Sequence, residues 1–141
     1  MPPASVNPQG IFSFHADSTI AAYRVVRATG VAMQVALHNT TTAHILGVTI
    51  NDSQGGSDSS IAVATAGIVK CACASSVSAG SIVTAQSATA SGLIEMAGNT
   101  VNSTTTSAVP KLLGIALQSG STNSVIAVAL NISNANKTAY A

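Results

Sequence analysis

A phrase that occurs twice is the feature of this sequence that most restricts its fold. Residues 45–64 read ILGVTINDSQGGSDSSIAVA, and residues 112–130 read LLGIALQSGSTNSVIAVAL. The first four letters of the phrases align at an offset of 67 residues, and the two IAVA motifs align at an offset of 65. Each copy has two apolar runs around a loop rich in Gly, Ser and Asn, which is typical of a β-hairpin. Because two copies are too few for a solenoid, the repeat predicts two related hairpins within one domain.

Apolar side chains recur at every second position wherever they gather, which indicates strands that bury one face. The sets predicted to share a face are Val31, Met33, Val35 and Leu37; Leu46, Val48 and Ile50; Leu113, Ile115 and Leu117; and Ile126, Val128 and Leu130. Gly47 and Gly114 stand at matching places in the two hairpins and are expected to mark matching bends. The predicted fold class is all-β: a small single-domain β-barrel or sandwich built from two related hairpins, with an extended N-terminal arm.

The chain divides into three segments by composition. Residues 1–20 contain three of the four prolines and show no alternation before Ile11, which favours an extended arm. Residues 21–132 hold the alternating runs and form the predicted β-rich domain, since 141 residues are enough for one domain with a core. Residues 133–141 are polar and are expected to form a loosely ordered tail.

Charged residues are scarce throughout the chain. They make up 6% of the sequence, and the formal net charge is +1, so a basic surface for nucleic acid or for an anionic membrane is not expected. No run approaches the roughly 18 apolar residues of a membrane span, and the first residues lack the pattern of a signal peptide. A thin, alanine-rich core under a neutral exterior favours a chain that buries surface against copies of itself or a larger assembly.

The residue types that carry catalysis are few and scattered. The carboxylates are Asp17, Asp52, Asp58 and Glu95, and the histidines are His15, His38 and His44. No pair has a suggestive spacing, and the sequence contains neither a phosphate-binding glycine loop nor a nucleophile elbow. A calcium loop starting near Asp52 lacks the closing glutamate. The protein is therefore predicted not to be an enzyme and to use no cofactor or metal.

Two cysteines stand two residues apart, which places Cys71 and Cys73 on one face of a strand. A disulfide at this spacing would be strained on a regular strand, and a metal site would need further ligands nearby in the sequence. We expect both residues to be small buried apolar side chains, and no chemical role is assigned to them.

The doubled phrase and the segment between its copies resemble the capsid cement, or head decoration, proteins of tailed bacteriophages. In that family a "viGv" hairpin is followed by "Gi..v.a...v.aGd.v", a glycine-bearing reset and a closing "vGiAl" hairpin. The corresponding stretches here are residues 45–64, 67–84, 92–96 and 112–130, and the resemblance covers about residues 23–131. Ser81, Asn123 and Ser124 stand where the family often has acidic residues, which removes those charges from any pairing with the shell.

The resemblance implies a structural virion protein, made in the cytoplasm of a host bacterium, that binds the outer surface of a phage head and stabilises the shell. It implies a homotrimer at three-fold and quasi-three-fold positions, tying together neighbouring capsomers of the major capsid protein. The alternative function is a carbohydrate-binding or adhesin module of a tail or surface structure. The absence of Trp from the sequence disfavours that alternative, because sugar sites usually offer aromatic platforms.

The N-terminal arm is the segment expected to contact the capsid. We expect it to lie along the major capsid protein and to add a strand to it where it can. The residues concerned are Pro2, Pro3, Pro8, Ile11, Phe12 and Phe14. In the alternative arrangement, Phe12 and Phe14 close the core of the domain instead.

Overall fold

Nine β-strands make up the described part of the chain. The computed structural model describes residues 6–38, 44–53, 59–86, 91–97 and 111–133. The strands are β1 (Asn7–Ala16), β2 (Val25–Ala28), β3 (Gln34–Leu37), β4 (Gly47–Thr49), β5 (Ser59–Ala72), β6 (Ile82–Ala85), β7 (Ile94–Met96), β8 (Leu112–Ala116) and β9 (Val125–Ser133). Within these ranges there is no helix, and hence none with the length and hydropathy that crossing a membrane requires. The all-β prediction is confirmed.

Strands β1 to β5 are hydrogen-bonded in a closed ring. Val63 of β5 lies opposite both Phe12 of β1 and Thr49 of β4, so β1 and β4 flank the two edges of β5. β4 pairs antiparallel with β2, and β2 pairs antiparallel with β3. The ring closes where Ala16, at the end of β1, pairs in parallel with Val35 of β3. A buried cluster belongs to this ring: Ala16, Ile20, Val26, Val35, Ile61 and Val63.

Strands β5 to β9 form a second ring in the same way. β5 pairs antiparallel with β9, β9 with β8, β8 with β6, and β6 with β7. The ring closes where Cys73, just after β5, bridges Ile94 of β7 in parallel. Its interior residues belong to a larger buried cluster and are Val69, Cys71, Cys73, Val77, Val83, Ala85, Ile94, Leu113, Ala116, Ile126 and Val128. β5 is 14 residues long and takes part in both rings.

The two rings correspond strand for strand, with β1–β5 equivalent to β5–β9. Every type of pairing recurs in the same register. In the following list each pair of the first ring is given with its counterpart in the second: Phe12–Val63 with Val69–Val128; Val25–Val48 with Ile82–Ile115; Ala28–Val35 with Ala85–Ile94; and Val48–Ala64 with Ile115–Ala129. The chain is therefore an internal duplication. We term residues 7–66 the first unit and residues 67–133 the second unit.

The two predicted hairpins are β4–β5 and β8–β9, and they keep the offsets of 67 and 65 residues found in the sequence. The structure extends the duplication beyond them. Residues 10–28 correspond to residues 67–85 at an offset of 57, with identical residues at six of the 19 positions. The repeat thus includes the strands that precede each hairpin.

Loop anchors are duplicated together with the strands. In the first unit, the Ala22 amide donates a hydrogen bond of 2.6 Å to Oδ1 of Asp52. In the second unit, the equivalent Ala79 amide donates one of 3.0 Å to Oγ of Ser119. Asp52, near which the calcium loop was considered, therefore accepts a hydrogen bond that holds a turn, and Asp58 lies outside the described residues.

Glycine allows the closest approach of strands within each hairpin. A Cβ added at Gly47 would overlap the carbonyl oxygen of Ala64, and one added at Gly114 would overlap that of Ala129. The pairing of β8 with β9 also shifts register between Leu112 and Gly114, as it does at a β-bulge. This irregularity breaks the simple alternation of faces that the sequence suggests.

Three predictions of shared buried faces are wrong. Leu46 packs against the cluster of the first ring, whereas Val48 lies in the larger cluster and Ile50 packs against it. Leu113 is fully buried, but Ile115 and Leu117 are exposed, because the register shift at Gly114 interrupts the alternation. On the segment before β3, Val31 and Met33 are exposed. β3 begins only at residue 34, so these two side chains belong to the preceding turn rather than to the buried face of the strand.

Left-handed backbone occurs at the same turn positions in both units. Tyr23 has φ of 68°, and the equivalent Gly80 has φ of 87°. Met33 has φ of 58°, and the equivalent Gly92 has φ of 65°. Because this conformation costs a residue with a side chain roughly 1–2 kcal/mol, the first unit keeps the turn at some local cost. The shared backbone shape is therefore imposed by the fold around it.

Candidate interaction surfaces

Strand β1 is the described part of the predicted arm. It pairs antiparallel with β5 of its own chain from Asn7 to Ala16. Among the described residues, its other edge pairs only at His15 and Ala16, where it meets β3. Backbone on that edge from residue 7 to residue 14 meets no described strand, and an open edge of this kind can accept a strand from another protein.

Four of the six residues predicted to contact the capsid lie together on β1. Ile11 and Phe12 are 47% and 56% exposed, and Pro8 is half-buried. Pro2 and Pro3 lie outside the described residues. Contact between these residues and a capsid stays a prediction, as does the division of the chain into arm, domain and tail.

Phe14 differs from its neighbours on β1. It lies opposite Ile61 and packs, half-buried, against the buried cluster of the first ring. That position agrees with the alternative in which the aromatic residues close the core, whereas Phe12 is 56% exposed. The two aromatic residues of β1 therefore occupy different environments.

An exposed apolar row lies on the outer face of the second unit. Ile82 and Ile115 are paired opposite each other and are 50% and 43% exposed, and Leu117, just beyond β8, is 45% exposed. Clusters of large apolar side chains at a surface often mark interaction sites. Periodicity did not predict this row, because counting every second residue places Ile115 and Leu117 in the core. The glycine before Ile115 was the one sequence signal of a change of face.

Two shallow depressions lie on the first unit and at its junction with the second. One has a volume of about 280 Å³ and is lined by Ala28, His44, Ile45 and Leu46. The other has a volume of about 200 Å³ and is lined by Val6, Pro8, Tyr23, Thr49, Ile50, Val69 and Lys70. Both are smaller than the roughly 300–1,000 Å³ of pockets that enclose small-molecule ligands.

Both cysteines are free and buried. Burial raises the pKa of the Cys71 thiol far above its usual range, and the neighbouring Cys73 raises it further. Burial also raises the pKa of Cys73. Protonated thiols are poor nucleophiles and poor metal ligands, so the two residues serve as buried apolar side chains. Among the described residues, no three His, Cys, Asp or Glu side chains are grouped to hold a metal ion.

The fold is similar to that of a protein of a phage head. No family model matches the chain, and no curated protein matches it. A match was found among solved structures, in the crystal structure of the head fiber gp8.5 N base in bacteriophage phi29, with a TM-score of 0.62 and 15% sequence identity. The match covers 86% of this chain and 92% of that chain. At this identity the likeness shows a shared fold.

Proposed function

We propose that the protein is a structural component of a phage virion, attached to the outer surface of the head. The observation that carries the proposal is the fold shared with a head fiber base over 86% of this chain. The resemblance of residues 23–131 to capsid cement proteins also supports a place on the phage head. This support is separate, because the resemblance rests on the sequence pattern and not on the fold.

The more specific proposal is a cement, or decoration, protein that stabilises the shell as a homotrimer. The trimer sits at three-fold and quasi-three-fold positions and ties together neighbouring capsomers of the major capsid protein. A trimer that touches several capsomers turns weak individual contacts into firm binding, because each bound copy raises the effective concentration of the others. Contacts of this kind suit a chain with 6% charged residues, since apolar contacts depend little on ionic strength.

Strand β1 is the proposed site of contact with the capsid. Its exposed side chains, Ile11 and Phe12, stand beside the open backbone edge of the strand. An extended segment of the capsid protein added at this edge would gain backbone hydrogen bonds and cover both side chains. Pro2, Pro3 and Pro8 complete the proposed contact as predicted from the sequence, while Phe14 packs against the core beneath the strand.

The proposal places the mature protein in the virion, after synthesis in the cytoplasm of the host bacterium, with no nucleic-acid or membrane partner. Co-sedimentation with purified phage heads that lack the protein tests it directly. We expect the wild-type chain to saturate the heads at a fixed number of copies and to remain unbound on polysaccharide resins. Saturable retention on the resin, with no binding to heads, would instead support the carbohydrate-binding alternative.

A pair of variants tests the assigned surface. Ile11→Glu places a charge on the exposed face of β1 and is expected to weaken binding to heads at least tenfold. Val31→Glu, at a turn residue that is 60% exposed, is the matched control and should bind like the wild type. Deleting the strand would be a poorer test, because residues 7–16 pair with β5 and their loss would disturb the fold.

A further inference from the structure

Equivalent positions on the outer faces of the two units differ in burial. Val25 and Val48 of the first unit are fully buried, whereas Ile82 and Ile115 at the same positions of the second unit are 50% and 43% exposed. The strand pairings at these positions are the same, so the difference comes from what covers each face. We term Val25, Val48 and Ile50 the first row, and their equivalents Ile82, Ile115 and Leu117 the second row.

The first row is covered by the second unit of the same chain. Val25 and Val48 belong to one buried cluster with Val69, Ala85 and Leu113, three interior residues of the second ring. Ile50 packs against the same cluster. A unit of this fold therefore already uses its outer row as an interface with another such unit.

The surface that receives the first row also has an equivalent, and it lies open. The first-unit counterparts of Val69, Ala85 and Leu113 are Phe12, Ala28 and Leu46, which we term the open end. Phe12 is 56% exposed where Val69 is 1% exposed, Ala28 is exposed, and Leu46 is half-buried. Ala28 and Leu46 line the depression of about 280 Å³. This depression lies where the second ring holds the first row.

We propose that the second row of one copy packs into the open end of another copy, head to tail. The contact repeats between chains the packing that already joins the two units within a chain. The outer row of the second unit is apolar and exposed at Ile82, Ile115 and Leu117, as an interface with a further unit requires. A head-to-tail contact closes into a ring when the rotation between copies divides the full circle.

Charge does not oppose this contact. The three residues of the second row and the three of the open end are all uncharged, and Lys70, opposite Ala127 beside Leu117, stands at the rim. This contact would join the copies of the proposed trimer, and it rests on the proposed function only for the number of copies, which is three. Contact between copies requires no capsid, so purified protein is enough to test it.

Light scattering of the purified full chain tests the predicted contact, because it measures the mass of the particle in solution. The wild type is expected at a multiple of 13.9 kDa, the mass of one chain. Ile115→Glu, on the second row, and Ala28→Glu, at the open end, should each reduce the mass to that of one chain. Val31→Glu is the matched control and should keep the wild-type mass. Phe12 is left intact because it stands at the border between the proposed contact with the capsid and the proposed contact between copies, so its substitution would not distinguish them.

Mixing the two single-site variants identifies the head-to-tail geometry. The Ala28→Glu chain keeps an intact second row, and the Ile115→Glu chain keeps an intact open end. An equimolar mixture should therefore form a complex with the mass of two chains, although neither variant associates alone. A symmetric contact of one surface with itself would give no complex of this kind.

Three results would overturn the inference. They are a wild-type chain that remains a monomer at its highest soluble concentration, an Ile115→Glu chain that keeps the wild-type mass, and a mixture that forms no complex. If Ile115→Glu loses the β-sheet circular dichroism of the wild type, Leu117→Glu replaces it and the same outcomes apply. A wild-type oligomer that fails to bind heads would reject the proposed function and leave the contact between copies standing.

Discussion

The first and second units pair their strands in the same register but bury different surfaces. In the first unit, the paired residues Val48 and Ala64 are fully buried. In the second unit, the equivalent pair is Ile115 with Ala129, of which Ile115 is exposed and Ala129 is half-buried. One fold is thus present twice in one chain, in two environments.

The comparison separates two influences on a β domain. Register follows from backbone hydrogen bonds and from the glycines that let paired strands approach, and these are common to both units. Burial depends on the neighbour that covers each face. Among the described residues, the outer row of the first unit is covered by the second unit, and no described residue covers the outer row of the second unit in this way. We therefore expect substitutions that disturb pairing to act alike in the two units and substitutions that remove apolar volume to act differently.

The largest effect is expected at the paired glycines. Gly47→Ala and Gly114→Ala each place a Cβ against the carbonyl of an alanine on the partner strand, Ala64 or Ala129. The strands must separate to accept it, so each substitution should lower the free energy of unfolding by about 3 kcal/mol. Urea unfolding followed by circular dichroism measures the loss.

Gly30→Ala is the matched control for the glycine pair. A Cβ at Gly30 would meet no atom within 4 Å, so the change should alter stability by less than about 0.5 kcal/mol. Equivalence of the two units requires similar losses at the two hairpin glycines. If Gly114→Ala left the free energy of unfolding unchanged, as Gly30→Ala should, the two hairpins would not be equivalent. The close approach of β8 to β9 would then differ from that of β4 to β5.

A smaller loss of stability, different in the two units, is expected at equivalent positions of the first and second rows. Val48→Ala removes apolar volume from a buried cluster and should cost about 2 kcal/mol. Ile115→Ala removes more atoms, but from an exposed position, and should cost less than about 0.5 kcal/mol in single chains. Urea unfolding at concentrations where light scattering shows single chains measures both. Equal losses would mean that Ile115 is covered within its own chain.

The sequence predicted the hairpins because both copies kept the same letters around Gly47 and Gly114. It did not reveal the rest of the duplication because the strands before the hairpins have diverged in size. Phe14 corresponds to Cys71 in the ring interiors. Equivalent positions can thus hold a large side chain in one unit and a small one in the other. At such positions the strand pairing, and not the residue type, identifies the equivalent residues.

Face assignments failed for a different physical reason. Counting every second residue through Gly114 placed Ile115 in the core, yet the register shift beside this glycine interrupts the alternation. Even with the correct face, the sequence could not distinguish the buried Val48 from the exposed Ile115, since their burial depends on a neighbouring unit. Periodicity alone therefore could not predict that the second row is exposed.

The smallest effect concerns a group that only the second unit carries. Cys71 is buried in the interior of the second ring, and the equivalent residue of the first, Phe14, does not titrate. Burial, and after it the neighbouring Cys73, raises the pKa of the folded Cys71 thiol, whereas an unfolded cysteine has a pKa of about 8.5. Above about pH 8.5 the unfolded chain therefore releases a proton that the folded chain retains, so the contribution of this thiol to stability is complete below that pH and is lost as pH rises.

Comparison of the wild type with Cys71→Ala measures this contribution. The free energy of unfolding of the wild type should fall by about 1.4 kcal/mol more than that of the variant for each pH unit above about 8.5. Urea midpoints at about pH 7.5 and pH 9.5 are sufficient, because the two proteins differ only at residue 71. Parallel pH profiles would show that the Cys71 thiol is solvated in the folded chain, which would contradict its place in the closed interior of the second ring.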